Sequence, residues 1–366
     1  MSEPTVLIVA DEGGRPQAGT IRALRRAGAR VRVLTPSGGL LAHWLGEWDV
    51  PFEPLQLRRP RDAAAAETIR WHLDELRPRI LQVSGPLAAS NGLRAVQRRP
   101  VAIVADRGGA GKPDIMNRLD RASILSSRIS RIVCCAESVR RSFLNLRLGT
   151  LKIPPRKVVA IHPGHDVHWY DCVPFDAAVL GVPRDAFVVS CLTLGSEVCL
   201  RSVIRACDHL PPDLPIYFLA IGAVAAAGPN ARLIERSSYR DRFQLLGERS
   251  DVARIAAASD ISVMAGADEG LPDALFESMA TETAPVVGDS GAAAEVVEHE
   301  RSGLVIPAGE PRAVAAAILR LFNDRETCRR LGAAARRRVA SGFAVSGAAD
   351  ATLAVYRDLL SGPSGV

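Results

Sequence analysis

The chain has 366 residues, 48% hydrophobic and 23% charged, and carries a net charge of +6. That composition excludes a disordered or fibrous polymer. The length exceeds the ~250–300 residues at which a single core stops growing, so two domains are expected. No run reaches the ~18–20 apolar residues of a membrane span, and the start, MSEPTVLIVADEGG, lacks a secretory leader, so a cytoplasmic protein is expected. Seven cysteines without a C-x-x-C pair argue against a zinc knuckle or disulfide frame and read as buried free thiols.

The charge is unevenly divided, at +13 over residues 1–165 and −7 over 166–366. A basic half suits nucleic acid, an anionic membrane surface or a phosphorylated substrate, or is simply solvated arginine. Aromatics make up only 5% of the chain and no basic segment carries base-stacking rings, which argues against nucleic acid. An anionic acceptor at a membrane surface is the functional expectation.

In chain order, TVLIVAD (5–11) is an apolar run closing in the Gly-rich turn EGGRP, followed by the helical spacing of Ile21, Leu24 and Ala27. RVRVLTPSGG reads as strand and turn. A helix over 61–76, a strand over 79–85, a helix over 87–97 and a strand over 101–107 follow. Then come a helix within 115–127, the strand RIVCCAE and its helix, and a strand at KVVAIHPGHD. Continuous apolar strands separated by helices predict a parallel sheet covered on both faces, a doubly wound α/β domain.

The irregular stretch through 157–176 marks a boundary, after which the alternation restarts. Strands are expected at 186–195, 215–222, 243–247, 260–266 and 284–289, with helices at 198–209, 251–259, 273–282 and 292–300. A turn over 301–309, the helix PRAVAAAILRLFND, a basic helix and an amphipathic helix over 348–361 complete the chain. The fold class expected is two Rossmann-like doubly wound domains, 1–170 and 178–345, facing across a cleft, with helix 346–362 returning to the first.

Three local patterns carry chemistry. GADEGLPDALFESMATETAPVVGD (266–289) places Glu269 after a strand and Glu277 in the second turn of the next helix. Ligands of parallel sheets meet the chain at the carboxyl ends of strands, although two glutamates eight apart are, on spacing alone, ordinary solvated charges. ADRGGAGKP (105–113) fails the G-x-x-x-x-G-K-[ST] pattern but offers Asp106, Arg107 and Lys112 as acceptor or phosphate contacts, or is a structural loop. His162, His165 and His168 lack a framework of cysteines or carboxylates, so no metal is expected there.

The string from FQLLGERSD through DEGLPDALFESMA, APVV, GAAAEVV and SGLVIPAGEP to FAVSGAADATLAVYRDLL resembles the donor-binding half of the family-4 retaining glycosyltransferases of GT-B fold. Residues 180–360 carry the resemblance strongly. Residues 1–175 carry it loosely, through Gly13 and Gly14, RIVCCAESVRRSFL and KVVAIHPGHD. The resemblance implies that Glu269 meets the transferred sugar and Glu277 the ribose. It also implies that the amides of Gly270 and Leu271 hold sugar hydroxyls, and that Ser290, Gly291 and Ala292 offer N–H groups to phosphate. Gly247 stands near the base, and Gly13 and Gly14 lie over the donor phosphate. No cofactor or metal is implied, the nucleotide sugar being a substrate.

One departure stands out. The family carries an arginine and a lysine on the donor diphosphate, where this chain has Thr193 and Val198. Arg201, Arg205 or Arg107 compensates, the donor has a single phosphate as a CMP-sugar does, or the domain no longer catalyses. The expectation is retaining transfer of a sugar to a cell-surface polysaccharide or glycolipid, on the inner face of the plasma membrane. A non-catalytic scaffold that binds a nucleotide sugar or a partner enzyme is the alternative.

Overall fold

The computed structural model describes residues 3–108, 117, 121, 126–146, 152–192, 197–222, 229–266 and 270–361. Lys112, Thr193, Glu269 and most of the helix expected within 115–127 lie outside the described residues. The chain forms two compact units, Met1–Gly164 with Phe343–Val366, and His165–Gly342. The first changeover follows Gly164, ahead of the boundary expected between 170 and 178, and the return follows Gly342, ahead of the 346 expected. At Gly164 a Cβ would come 2.6 Å from Val345 Cα, so the outgoing and returning chains pass in backbone contact where only glycine fits.

Unit 1 runs β1 (Thr5–Ala10), α1 (Arg15–Arg26), β2 (Arg30–Thr35), α2 (Leu40–Glu47), β3 (Glu53–Pro54), α3 (Ala63–Leu76), β4 (Ile80–Ser84), α4 (Pro86–Val96), β5 (Ala102–Asp106), β6 (Ile129–Cys134), α5 (Glu137–Leu144) and β7 (Val158–Ala160). Its strands are all parallel, in the order β3-β2-β1-β4-β5-β6-β7. The order reverses between β1 and β4, the place where an open α/β sheet parts its loops to admit a ligand. The expected elements do not include α2 and β3, whose eight and two residues fall below the length at which periodicity speaks.

Unit 2 repeats the plan with β8 (Phe187–Leu192), α6 (Glu197–Ala206), β9 (Ile216–Ile221), α7 (Pro229–Glu235), β10 (Phe243–Gly247), α8 (Val252–Ala257), β11 (Ile261–Met264), α9 (Asp273–Ala280), β12 (Ala284–Gly288), α10 (Ala293–Val296), β13 (Leu304–Ile306), α11 (Pro311–Asn323) and α12 (Arg325–Gly342). The parallel order is β10-β9-β8-β11-β12-β13, reversing between β8 and β11. The helix expected over 292–300 shrinks to α10, because Val297 turns extended (φ −90°, ψ 120°). The expected turn over 301–309 contains β13. Gly303 (φ +156°) lets the chain press against β12, where a Cβ would meet Pro285 O at 2.5 Å.

The last helix, α13 (Val345–Ser361), belongs to unit 1, with Leu353 and Tyr356 buried in the same core as Ile8, Leu24 and Val33. Six cysteines are buried free thiols and Cys172 is exposed. Among the described residues no helix is long and apolar enough to cross a membrane.

Unit 2 depends on a close approach at Gly332 of α12, where a Cβ would lie 1.8 Å from the carbonyl oxygen of Glu282. Backbone cannot yield as a flexible side chain does, so Gly332→Ala should destabilise the protein by about 1–3 kcal/mol. Urea unfolding measures this; an unchanged midpoint contradicts the packing described.

Candidate functional site

In unit 2 the candidate residues gather at the carboxyl edge of the sheet. Helix α9 follows β11 and begins at Asp273, with Pro272 as its extended N-cap (φ −78°, ψ 144°). Gly270 and Leu271 therefore lie in the loop before the helix rather than in its first turn, and the Leu271 side chain is buried. Both neighbours of Glu277 are tied down. Ser278 is fully buried and accepts a 3.0 Å hydrogen bond from Ser262 of β11. Phe276 is fully buried and stacks on His165, with ring centroids 4.0 Å apart. With those two directions fixed, Glu277 is left half-buried, close enough to Cys172 for its charge to be felt there.

His165 has no exposed side-chain surface. It shares a 2.8 Å hydrogen bond between Nδ1 and the Tyr170 hydroxyl, while Nε2 has no hydrogen-bond partner among the described residues and stands 4.0 Å from Asp273 Oδ1. Burial lowers the imidazole to about 3, so the ring is neutral. The Asp273 side chain is 48% exposed, and desolvation of the part that packs inward raises its carboxyl to about 6. His165 stands in the sequence only as one of three spaced histidines, and its pairing with Asp273, 108 residues along the chain, leaves no local pattern.

The loop after β12 carries Ser290, Gly291 (φ +83°) and Ala292. Asp289 holds it by accepting from the Ala308 amide at 3.0 Å, and the Ser290 hydroxyl is buried with no partner among the described residues. The following helix has only four residues, too short to add an appreciable dipole, so any N–H groups offered here come from the loop itself. Gly247 (φ +65°) ends β10, and its carbonyl accepts from Gly222 at 2.7 Å. Val198, one of the two positions lacking the family cation, is 47% exposed on α6. Arg201 is half-buried one turn further on.

In unit 1 the candidates sit at the carboxyl ends of β1 and β5. Asp11 accepts from the amides of Leu87 (3.0 Å) and Ala88 (2.9 Å), closing the N-terminus of α4 with the protein's own carboxylate. Gly85 (φ +95°) makes room, since a Cβ there would meet Asp11 Oδ1 at 2.2 Å. Gly13 and Gly14 follow, Gly14 as the N-cap of α1. Asp106 Oδ2 accepts from Gln82 Nε2 (3.1 Å) and Ser84 Oγ (3.3 Å), and Oδ1 accepts from the Gly108 amide (2.9 Å). Gln17 donates to Ser84 Oγ at 2.7 Å, tying the first helical turns after Gly14 to the same network. The Arg107 amide donates to Val133 O at 3.0 Å. Burial raises the carboxyls of Asp11, Glu12 and Asp106, and Asp11 adds to the rise at Glu12.

Among the described residues no three His, Cys, Asp or Glu side chains are grouped to hold a metal ion. His162 packs edge-on to Phe343 and His168 pairs with Asp171 at 2.9 Å.

Two parallel doubly wound units, each with its polar residues at the carboxyl edge, define a protein of GT-B class. The sequence matches the glycosyltransferase family 4 over residues 18–169 and the glycosyl transferases group 1 over residues 178–338. This chain belongs to the family-4-like glycosyltransferases of GT-B fold. It is 30% identical over 256 residues to the D-inositol 3-phosphate glycosyltransferase of Kineococcus radiotolerans, a match covering 62% of this chain and 57% of that protein. It is 33% identical over 120 residues to a lipopolysaccharide core biosynthesis mannosyltransferase of Rhizobium leguminosarum, covering 33% of this chain and 34% of that one. The fold is that of Anabaena HepE, solved in complex with UDP. The TM-score is 0.76 at 18% identity, and the match covers 97% of this chain and 100% of that one.

The Asp273 carboxyl has a native value above its ordinary 3.8, so the stability it contributes is lost as pH rises from about 4 through about 6. Asp273→Asn removes that loss. The variant should melt above the wild type at pH 7.5, and the gap should close by pH 4.5. Thermal scans at both pH values measure it; a pH-independent difference contradicts the assignment.

Proposed function

We propose that the protein is a retaining glycosyltransferase that takes a nucleoside-diphosphate sugar on unit 2 and transfers the sugar to a hydroxyl of a glycan or glycolipid. The observation that carries this reading is Glu277, held half-exposed between two anchored neighbours in the second turn of α9, the helix that follows β11. A carboxylate so placed accepts two hydrogen bonds from a vicinal diol without any shift of its pKa. The Ser290 hydroxyl beside Gly291, buried with no partner among the described residues, supports the same reading, because a buried polar group without a partner is costly unless a ligand supplies one.

In this reading Glu277 holds the ribose, Glu269 the transferred sugar, and the backbone of Gly270, Leu271, Gly291 and Ala292 donates to sugar and phosphate oxygens. Gly247 lies at the base and Gly13 and Gly14 at the phosphate. Arg201 takes the diphosphate charge that the missing cations would have met. Asp106, Arg107 and Lys112 of the first unit serve the acceptor and the developing charge. Leaving phosphate and incoming hydroxyl share one face of an oxocarbenium-like centre. Protein cations and backbone N–H groups supply the electrostatic stabilisation, without a metal.

The exposed apolar side chain of Val198 favours a second reading, a scaffold that binds the nucleotide sugar without transferring it. At ~2.7–4 kcal/mol per preorganised donor, losing phosphate contacts slows chemistry far more than it weakens the fold.

Transfer from UDP-glucose or hydrolysis of it by the purified protein separates the two. Glu269→Ala should lower turnover at least ~10-fold, and the anomeric configuration of the product should match that of the donor. Equal turnover of the variant contradicts the role of Glu269, and an inverted product contradicts retention.

The net charge of +13 over residues 1–165 predicts peripheral binding to anionic vesicles, falling as salt shortens the ~10 Å screening length of 0.1 M solution. Sedimentation with phosphatidylserine vesicles measures it; binding unchanged by salt contradicts it.

A further inference from the structure

Gln82 lies in the middle of β4, within the otherwise apolar run ILQVS, and is 7% exposed. Its two amide atoms are both used. Nε2 donates to Asp106 Oδ2 at 3.1 Å, and Oε1 accepts from the Tyr356 hydroxyl at 2.5 Å. Tyr356 is on α13, fully buried and 274 residues along the chain from Gln82. An ionised carboxylate only accepts, so Gln82 must turn its nitrogen to Asp106 and its oxygen away. In a buried site that oxygen needs a donor, and the tyrosine is it.

We propose that Tyr356 and Gln82 are positioning residues for Asp106: the C-terminal helix, through one glutamine amide, fixes the orientation of the carboxylate at the carboxyl end of β5. This rests on Asp106 being an acceptor contact, and extends that reading to a helix that itself carries none of the assigned site residues. With Oδ2 taking bonds from Gln82 and Ser84 and Oδ1 one from Gly108, the half-buried carboxylate keeps accepting capacity on Oδ1 for a hydroxyl donor. Without the tyrosine hydroxyl the amide is free to swing, and Asp106 loses a donor to its charged form. Tyr356 is held protonated by burial and remains a donor over the working pH range. The titratable groups that feel the charge of this carboxylate are Glu12 after β1, Cys134 of β6 and Tyr356 itself.

The test is a carbon-13 titration of the full-length protein labelled at aspartate Cγ, with the Asp106 signal assigned by Asp106→Asn. Loss of one oriented hydrogen bond raises a carboxyl pKa. Tyr356→Phe should therefore move the Asp106 midpoint upward by about half a unit or more, and Gln82→Leu by at least as much. In the Gln82→Leu background, Tyr356→Phe should add nothing, because both act through one amide. Leu353→Ala on the same helix should lower the melting temperature and leave the midpoint in place. An unchanged midpoint in Tyr356→Phe, an additive shift in the double variant, or an equal shift in Leu353→Ala overturns the proposal. No acceptor is present in this titration. Failure of the relay is therefore a result separate from failure of the acceptor reading, which shows as Asp106→Asn transferring sugar as well as the wild type.

Discussion

A parallel sheet imposes one constraint on everything attached to it. Each strand must be followed by a crossover that carries the chain back to the same starting edge. The turns leaving the carboxyl ends therefore collect along one edge and the turns returning collect along the other. Both sheets here are wholly parallel and reverse their order once, between β1 and β4 and between β8 and β11. Residues distant in sequence, such as Gly13 and Asp106 in unit 1 or Gly247 and Ser290 in unit 2, reach a common edge for that reason.

Within that frame, direction is set by buried polar contacts. The bond between Ser262 and Ser278 and the stacking of His165 on Phe276 clamp the residues on either side of Glu277, so the helix cannot roll without breaking a buried pair. Asp106 is held from three sides, by β4, by the Gly108 amide and, through Ser84, by α1. Asp11 answers the α4 amides itself, so that helix start is already occupied by the protein. These contacts lie in the low-dielectric interior, where a satisfied network is rigid and a broken one is costly.

Much of the fold was legible in the sequence, because buried parallel strands such as TVLIVA and AIVAD read as unbroken apolar runs and the helices between them keep their spacing. Short elements were not: α2, β3 and β13 are set by their neighbours, as Gly303 shows by letting its strand lie against Pro285. The helix expected over 292–300 failed because local propensity for AAAEVVEHE is helical, while Val297 is needed extended. Of the candidate site, Glu277 was legible from its string, whereas the contacts of Asp273, His165 and Tyr356 were not. Their contacts span up to 274 residues and leave no local trace. Gln82 did leave one, a lone amide inside an apolar strand.

The central claim is that unit 2 binds a nucleotide through Glu277. Calorimetric titration of the full chain with UDP, for the wild type and Glu277→Ala, tests it most directly. Hydrogen bonds to a charged group are worth ~1.5–3 kcal/mol, and each ~1.4 kcal/mol is tenfold in affinity. The wild type should bind UDP at one site and the variant should bind it about 10–100-fold more weakly. Equal affinity of the two proteins, or no heat from the wild type with UDP, contradicts the account.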